Sequence, residues 1–195
     1  MADIQVFSVE IEGLCPLLLH SGDLCDPFNY YAKELKKVSS KRNKTEDDQR
    51  QMMRIEWDGG LYLDDKGRVA MPADNILALV QGGARKFKLG KQVAPGVFTD
   101  KDNFAVDYDG PKDLDKLFND PRFVLRKRVK VGQASIMRTR PRFPKWSLKF
   151  DLEVVTDLIN PEDLRRILDA AGRVVGLGDW RPRYGRFIVT KFEAA

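Results

Sequence analysis

Gly176-Leu177-Gly178-Asp179-Trp180-Arg181-Pro182-Arg183-Tyr184-Gly185-Arg186-Phe187 is the stretch on which the reading of the fold turns. Its glycines reach backbone angles closed to other residues and let a second backbone approach closely. Its arginines and aromatics pair charge for phosphates with flat faces for bases. Taken alone, the segment passes for a phosphate loop, but a nucleotide-binding glycine run opens a helix. Here a predicted helix precedes it: Asn160 as cap, Pro161 at the first position, Glu162 and Asp163 in the first turn. Leu164, Ile167, Leu168, Ala171 and Val175 form the buried stripe of that helix, and a last strand, Arg186 to Phe192, follows the loop. A glycine loop between the last helix and the last strand does not fit a nucleotide cofactor, so no cofactor is expected.

Upstream, residues 4–11 alternate, with Phe7, Val9 and Ile11 on the buried face of a first strand that Gly13 ends. Residues 25–60 read as an insertion. Within it, Asn29 to Lys41 has helical composition, and Thr45 with Asp48 forms a capping box for a second helix through about Trp57. Leu61 to Met71 reads as a hairpin turning at Gly67, and a helix from about Asp74 to Phe87 has Ile76, Val80, Ala84 and Phe87 at helical spacing on one face. Gly82-Gly83 inside that helix predicts either close approach of another backbone or an early end to the helix. Residues 88–120 are polar and read as a second insertion, with a short helix at Asp113 to Phe118. Arg122 to Val131 reads as a strand with Arg122, Arg126, Arg128 and Lys130 in a row on one side. Trp146, Leu148, Phe150, Leu152 and Val154 alternate as a long strand with an apolar inner face. With the insertions set aside, the order is strand, helix, strand, strand, helix, strand. That is an α+β, ferredoxin-like (RRM-like) βαββαβ core carrying two inserted subdomains in a single domain, 1–195. The open face of such a sheet is a common seat for single-stranded nucleic acid.

Charge is segregated. Ten Lys and Arg and no acid fall between Arg122 and Lys149, so this segment carries +10 of a whole-chain net charge of +5 and leaves −5 for the remainder. A polyanion-binding face has that footprint; a solvated face or a protein interface shares it. No apolar run reaches the length of a membrane span, and Met1 to Gln5 lacks the positive and apolar regions of a signal peptide, so a cytoplasmic protein with no membrane contact is expected. Cys15 and Cys25 are too few for a disulfide scaffold or a cysteine-built zinc site, and no metal is expected.

Three stretches resemble the RAMP (repeat-associated mysterious protein) superfamily of CRISPR systems. Gly13-Leu14-Cys15-Pro16-Leu17-Leu18-Leu19-His20-Ser21-Gly22 is similar to its strand-exit motif. Val69-Ala70-Met71-Pro72-Ala73-Asp74-Asn75-Ile76-Leu77 looks like its entry to the first helix, with Ala73 where glycine is usual. Gly176 to Phe187 resembles its C-terminal glycine-rich loop, with Arg186 in place of a small residue. The resemblance covers most of the chain outside the insertions and is nearest to backbone subunits that polymerise along a guide RNA.

That resemblance implies a non-catalytic protein binding single-stranded nucleic acid, RNA or DNA, as a homo-oligomer or filament. The expected contacts are Arg126, Arg128, Lys130, Arg138, Arg140, Arg142, Arg181 and Arg183, with His20 and Ser21 at the rim. Trp180, Tyr184 and Phe143 either stack on bases or pin the loop from the core. Two alternatives stay open. His20 or Asp26 is the weak catalytic candidate of a RAMP-type endoribonuclease, His20 because a near-neutral pKa suits a general base. The other alternative is a phage-borne mimic that interacts with a CRISPR complex.

Overall fold

A computed structural model describes residues 3–195, apart from the side chain of Val131; Met1 and Ala2, at the start of the expected leaderless N-terminus, lie outside the described residues. In chain order the elements are β1 (Ile4–Gly13), β2 (Leu17–Leu18), α1 (Tyr30–Ser39), α2 (Glu46–Asp58), β3 (Ala70–Pro72), α3 (Ala73–Ala84), α4 (Gly90–Gly96) and β4 (Val97–Phe98). They continue with β5 (Asn103–Tyr108), α5 (Leu114–Asn119), β6 (Val124–Val131), β7 (Ala134–Phe143), β8 (Trp146–Val155), α6 (Pro161–Val174) and β9 (Phe187–Ala194). The fold is mixed α+β with antiparallel sheets. It divides into two units, one of residues 1–17, 63–109 and 144–195, the other of residues 18–62 and 110–143.

The first unit is built on a sheet of order β3-β5-β8-β1-β9, with β4 added on β8. β1 pairs antiparallel with both β8 and β9, and β5 pairs antiparallel with β8. Phe7, Val9 and Ile11 of β1 and Leu148, Phe150, Leu152 and Val154 of β8 are buried, as their period-two alternation requires. They are buried together with the apolar stripes of α3 (Ile76, Leu79, Val80) and α6 (Leu164, Ile167, Leu168, Ala171). The Asn160 side chain caps α6 by accepting from the Asp163 N–H at 2.8 Å, with Pro161 at the first position. Gly83 lets α3 and α6 close on each other: a Cβ there would stand 2.6 Å from the Ile167 carbonyl oxygen. The predicted backbone approach at Gly82-Gly83 is therefore a helix crossing. The predicted 61–71 hairpin is reduced to a Leu63–Val69 bridge around Gly67 (φ 70°).

The second strand of the core differs from the sequence reading. Arg122 to Val131 does not join this sheet; β5, inside the stretch read as an insertion, does. β5 has the pattern of a half-buried strand, with Phe104, Val106 and Tyr108 inward and Asn103, Ala105 and Asp107 exposed. Its shortness and its acidic surroundings concealed it.

In the second unit β7 lies between β2 and β6, and α2 packs on β7. The Thr45–Asp48 capping box opens α2. Trp57, near its end, is fully buried, donates from Nε1 to the Phe123 carbonyl at 2.9 Å and meets Phe118 edge-on. Phe123 in turn packs against Phe143, with centroids 6.0 Å apart. Phe143 is wholly buried, so this aromatic belongs to the core and not to a base-stacking surface.

Candidate nucleic-acid interface

β6 and β7 form a hairpin whose two-residue turn, Gly132-Gln133, has Gly132 at φ 59°. Gly is suited to the positive φ of such turns. Cross-strand partners share a face. Arg126 stands opposite Thr139, Arg128 opposite Met137 and Lys130 opposite Ser135, so the three cations form one row. All three are exposed, and among the described residues none is held in an ion pair. Met137, opposite Arg128, is 43% exposed on the same face.

The β7 arginines do not join that row. Arg138 lies opposite Lys127 and Arg140 opposite Leu125, on the other face of the hairpin. Arg138 Nη1 is paired with Glu56 Oε1 at 2.5 Å, and Glu56 Oε2 accepts the Thr139 N–H at 2.8 Å. Arg140 is buried and its Nη1 donates to the Thr139 carbonyl at 3.0 Å. Arg142 is half-buried, with Nε shielded from solvent and lacking a hydrogen-bond partner. Arg138 and Arg140 are thus engaged within the second unit, Arg138 through Glu56 and Arg140 through the Thr139 carbonyl. Arg122 is turned to Asp120, and its guanidinium holds the Asp120 carboxyl below the ordinary carboxylate value.

Glu56 is a residue that sequence reasoning missed; its only signal was its place next to Trp57 at the end of an amphipathic helix. A Glu56→Ala variant strips both Arg138 and the Thr139 N–H of their acceptor. It is expected to destabilise the second unit by about 2 kcal/mol, read as a lower urea midpoint.

In the first unit the glycine-rich loop is clipped to the segment after β1. Leu177 N–H donates to the Gly185 carbonyl at 2.8 Å, Gly185 N–H to Pro16 O at 2.9 Å and Leu14 N–H to Arg186 O at 2.8 Å. Gly176, Gly178 and Gly185 all have positive φ (76°, 78° and 72°). Arg181 and Arg183 are exposed, and the Arg183 guanidinium sits 5.8 Å from the Tyr184 ring centroid. Trp180 and Tyr184 are half-buried with centroids 6.2 Å apart, so each pins the loop while keeping part of its ring accessible.

The rim residues have structural work. Ser21 is buried and its Oγ caps a short 3-10 turn by accepting the Asp23 N–H at 3.2 Å. His20 is half-buried, and its carbonyl accepts from the Tyr62 hydroxyl at 3.0 Å. Asp26 is exposed and its Oδ1 accepts the Phe28 N–H at 2.8 Å, an Asx turn.

The outward face of the first unit's sheet is not basic. Its shallow depression of about 570 Å³ is lined by Glu10, Glu12, Asp107 and Asp109 against Lys145 and Lys149. Glu10 is paired with Lys149 at 3.0 Å, and the basic row expected on this face lies instead on the β6–β7 hairpin.

No protein-family model matches the chain, and no curated protein matches it. Among solved structures it is similar to a chain of the type III-B Cmr-beta complex bound to cognate target RNA, with a TM-score of 0.51 and 14% identity. That match covers 98% of the present chain, which spans 61% of the length of its counterpart. A second similar structure is Cmr6 from Pyrococcus furiosus, with a TM-score of 0.42 and 10% identity over 97% of this chain and 100% of that one. The fold is RAMP-like. Among the described residues no helix is long and apolar enough to cross a membrane.

Proposed function

We propose that this protein binds single-stranded nucleic acid, RNA in the first instance, as a non-catalytic subunit of a CRISPR-type ribonucleoprotein. The observation that carries the reading is the exposed row Arg126, Arg128 and Lys130, free of ion pairs among the described residues, on a hairpin without an acid. Cations at alternate positions of one strand stand about 6–7 Å apart, within reach of successive phosphates of an extended single strand. Arg181 and Arg183 on the glycine-rich loop are a second set of phosphate contacts, with Trp180 and Tyr184 as partial stacking faces.

The order β9-β1-β8-β5, with α3 and α6 as the intervening helices, supports a ferredoxin-like core. In this reading residues 25–60 and the β6–β7 hairpin are elaborations of a single RAMP-type domain. Likeness in fold to a chain of a Cmr complex bound to target RNA supports RNA as the ligand and a multi-subunit assembly as the setting. Copies of the chain assemble along the strand.

The test is affinity for a labelled single-stranded RNA of about 30 nucleotides in about 50 and 200 mM salt, where three or more phosphate contacts lower affinity at least about tenfold. Salt-independent binding, or none, overturns the reading. Appearance of cleaved RNA in the same incubations overturns its non-catalytic part.

A further inference from the structure

Two aromatic side chains of the second unit stand in solvent: Phe28 is 79% exposed and Tyr30 68%. Single exposed apolar residues need no explanation, but these two are close in sequence and their backbone is held. The Phe28 N–H donates to Asp26 Oδ1 at 2.8 Å and the Asn29 N–H to Asp26 O at 3.1 Å. Asn29 Oδ1 then accepts the N–H groups of Tyr31 and Ala32 at 2.8 and 3.3 Å and opens α1. Pro27 fixes a further backbone angle. These bonds hold the backbone that carries the two rings, and the Tyr30 ring meets Tyr31 edge-on with centroids 5.3 Å apart.

The turn before the rings carries Asp23 and Asp26, and the helix after them carries the cations. Lys33 Nζ lies 5.6 Å from the Phe28 ring centroid. Tyr30, Lys33 and Lys37 follow at helical spacing along one side of α1, with Lys36 beside them. Residues 29–44 hold Lys33, Lys36, Lys37, Lys41, Arg42 and Lys44 against Glu34 alone. Lys37 is paired with Glu34 and Lys41 with Asp48, whereas Lys33, Lys36 and Arg42 have no ion pair among the described residues. The core of a protein–protein interface is depleted of lysine. Flat rings beside unpaired ammonium groups suit a base and its phosphate.

We propose that Phe28 and Tyr30 are a base-stacking platform for single-stranded nucleic acid, with Lys33 and Lys36 on the neighbouring phosphates. Asp26 is the positioning residue that holds the turn. The inference rests on the nucleic-acid-binding reading above and adds to it a surface outside the β6–β7 hairpin and the glycine-rich loop.

The test uses the full chain and a fluorescein-labelled oligouridylate of about 30 nucleotides. Phe28→Ala and Tyr30→Ala each weaken binding about tenfold and leave the salt dependence unchanged, because stacking releases no counterions. Lys33→Ala with Lys36→Ala shortens the salt dependence instead. Asp26→Ala weakens binding without altering the salt dependence, and Asp26→Asn, which keeps an oxygen for the Phe28 N–H, restores it. If both aromatic variants bind as tightly as the wild type, and the wild type binds, the platform is overturned while the nucleic-acid reading stands. If the wild type itself does not bind, both fall.

Discussion

A Gly185→Ala variant is expected to lose about 3–5 kcal/mol of stability, a fall in Tm of about 10 °C for a chain of this size. Gly185 sits at φ 72°, where an L side chain is already strained by about 1–2 kcal/mol. The larger part is steric: a Cβ there would fall deep inside van der Waals contact of the Leu177 carbonyl oxygen, which is backbone and has no rotamer to escape into. Relieving that overlap parts the two strands of the loop. The hydrogen bonds from Leu177 N–H to Gly185 O and from Gly185 N–H to Pro16 O, which tie the loop to the end of β1, go with it. Thermal unfolding of wild type and variant measures the effect. Gly67, also at positive φ but with open space where a Cβ would go, serves as the control for backbone strain without collision. A Gly185→Ala protein as stable as Gly67→Ala would mean that the loop is not a clip on the end of β1.

The second large effect is on binding. Replacing Arg126, Arg128 and Lys130 together by alanine is expected to lower affinity for single-stranded RNA roughly 100-fold at about 0.1 M salt, and to flatten the log–log salt slope by about 2. The magnitude follows from three phosphate contacts, each contributing about 0.7 to the slope for a single strand. All three side chains are exposed and support no packing, so the variant should fold like the wild type. Arg122→Ala is the control, because that guanidinium is held by Asp120. An unchanged slope in the triple variant would remove the hairpin from the interface.

The starts of α2 and α6 were legible because their signals are local, whereas α3 ends at Ala84 and not at Phe87, and α4 had no such signal. Thr45 with Asp48, and Asn160 with Pro161 and Asp163, satisfy N–H groups within three residues, so the cap is written where the helix begins. The alternation of Trp146 to Val154 was equally plain, since one face of β8 is buried along its whole length. The glycine-rich loop was placed correctly between α6 and β9 by the elements on either side of it.

The identity of the second core strand was not legible. Periodicity shows that a segment has a buried face, not which sheet buries it. β6 alternates as well as β5 does, and only long-range pairing distinguishes them. The acidic character of the outward sheet face has the same origin, because Glu10 and Glu12 are brought to Asp107 and Asp109 from a distant part of the chain.

The basic interface shows the division most clearly. Side chains alternate with a period of two along a strand, so the order of residues alone puts Arg126, Arg128 and Lys130 on one face of β6; residues 138–144 read as a basic link, and Arg138 and Arg140 share a face because the folded chain makes β7 of them. The order of residues leaves open whether those faces coincide, and in the folded chain they are opposite. The two-residue turn pairs Val131 with Ala134, so even-numbered residues of β6 stand across from odd-numbered residues of β7. One more residue in that turn would have put all five cations on a single face, because a one-residue slip in register reverses every side chain. Tertiary structure settled the matter through Glu56, which receives Arg138 and the Thr139 N–H, and left the β6 row exposed to solvent.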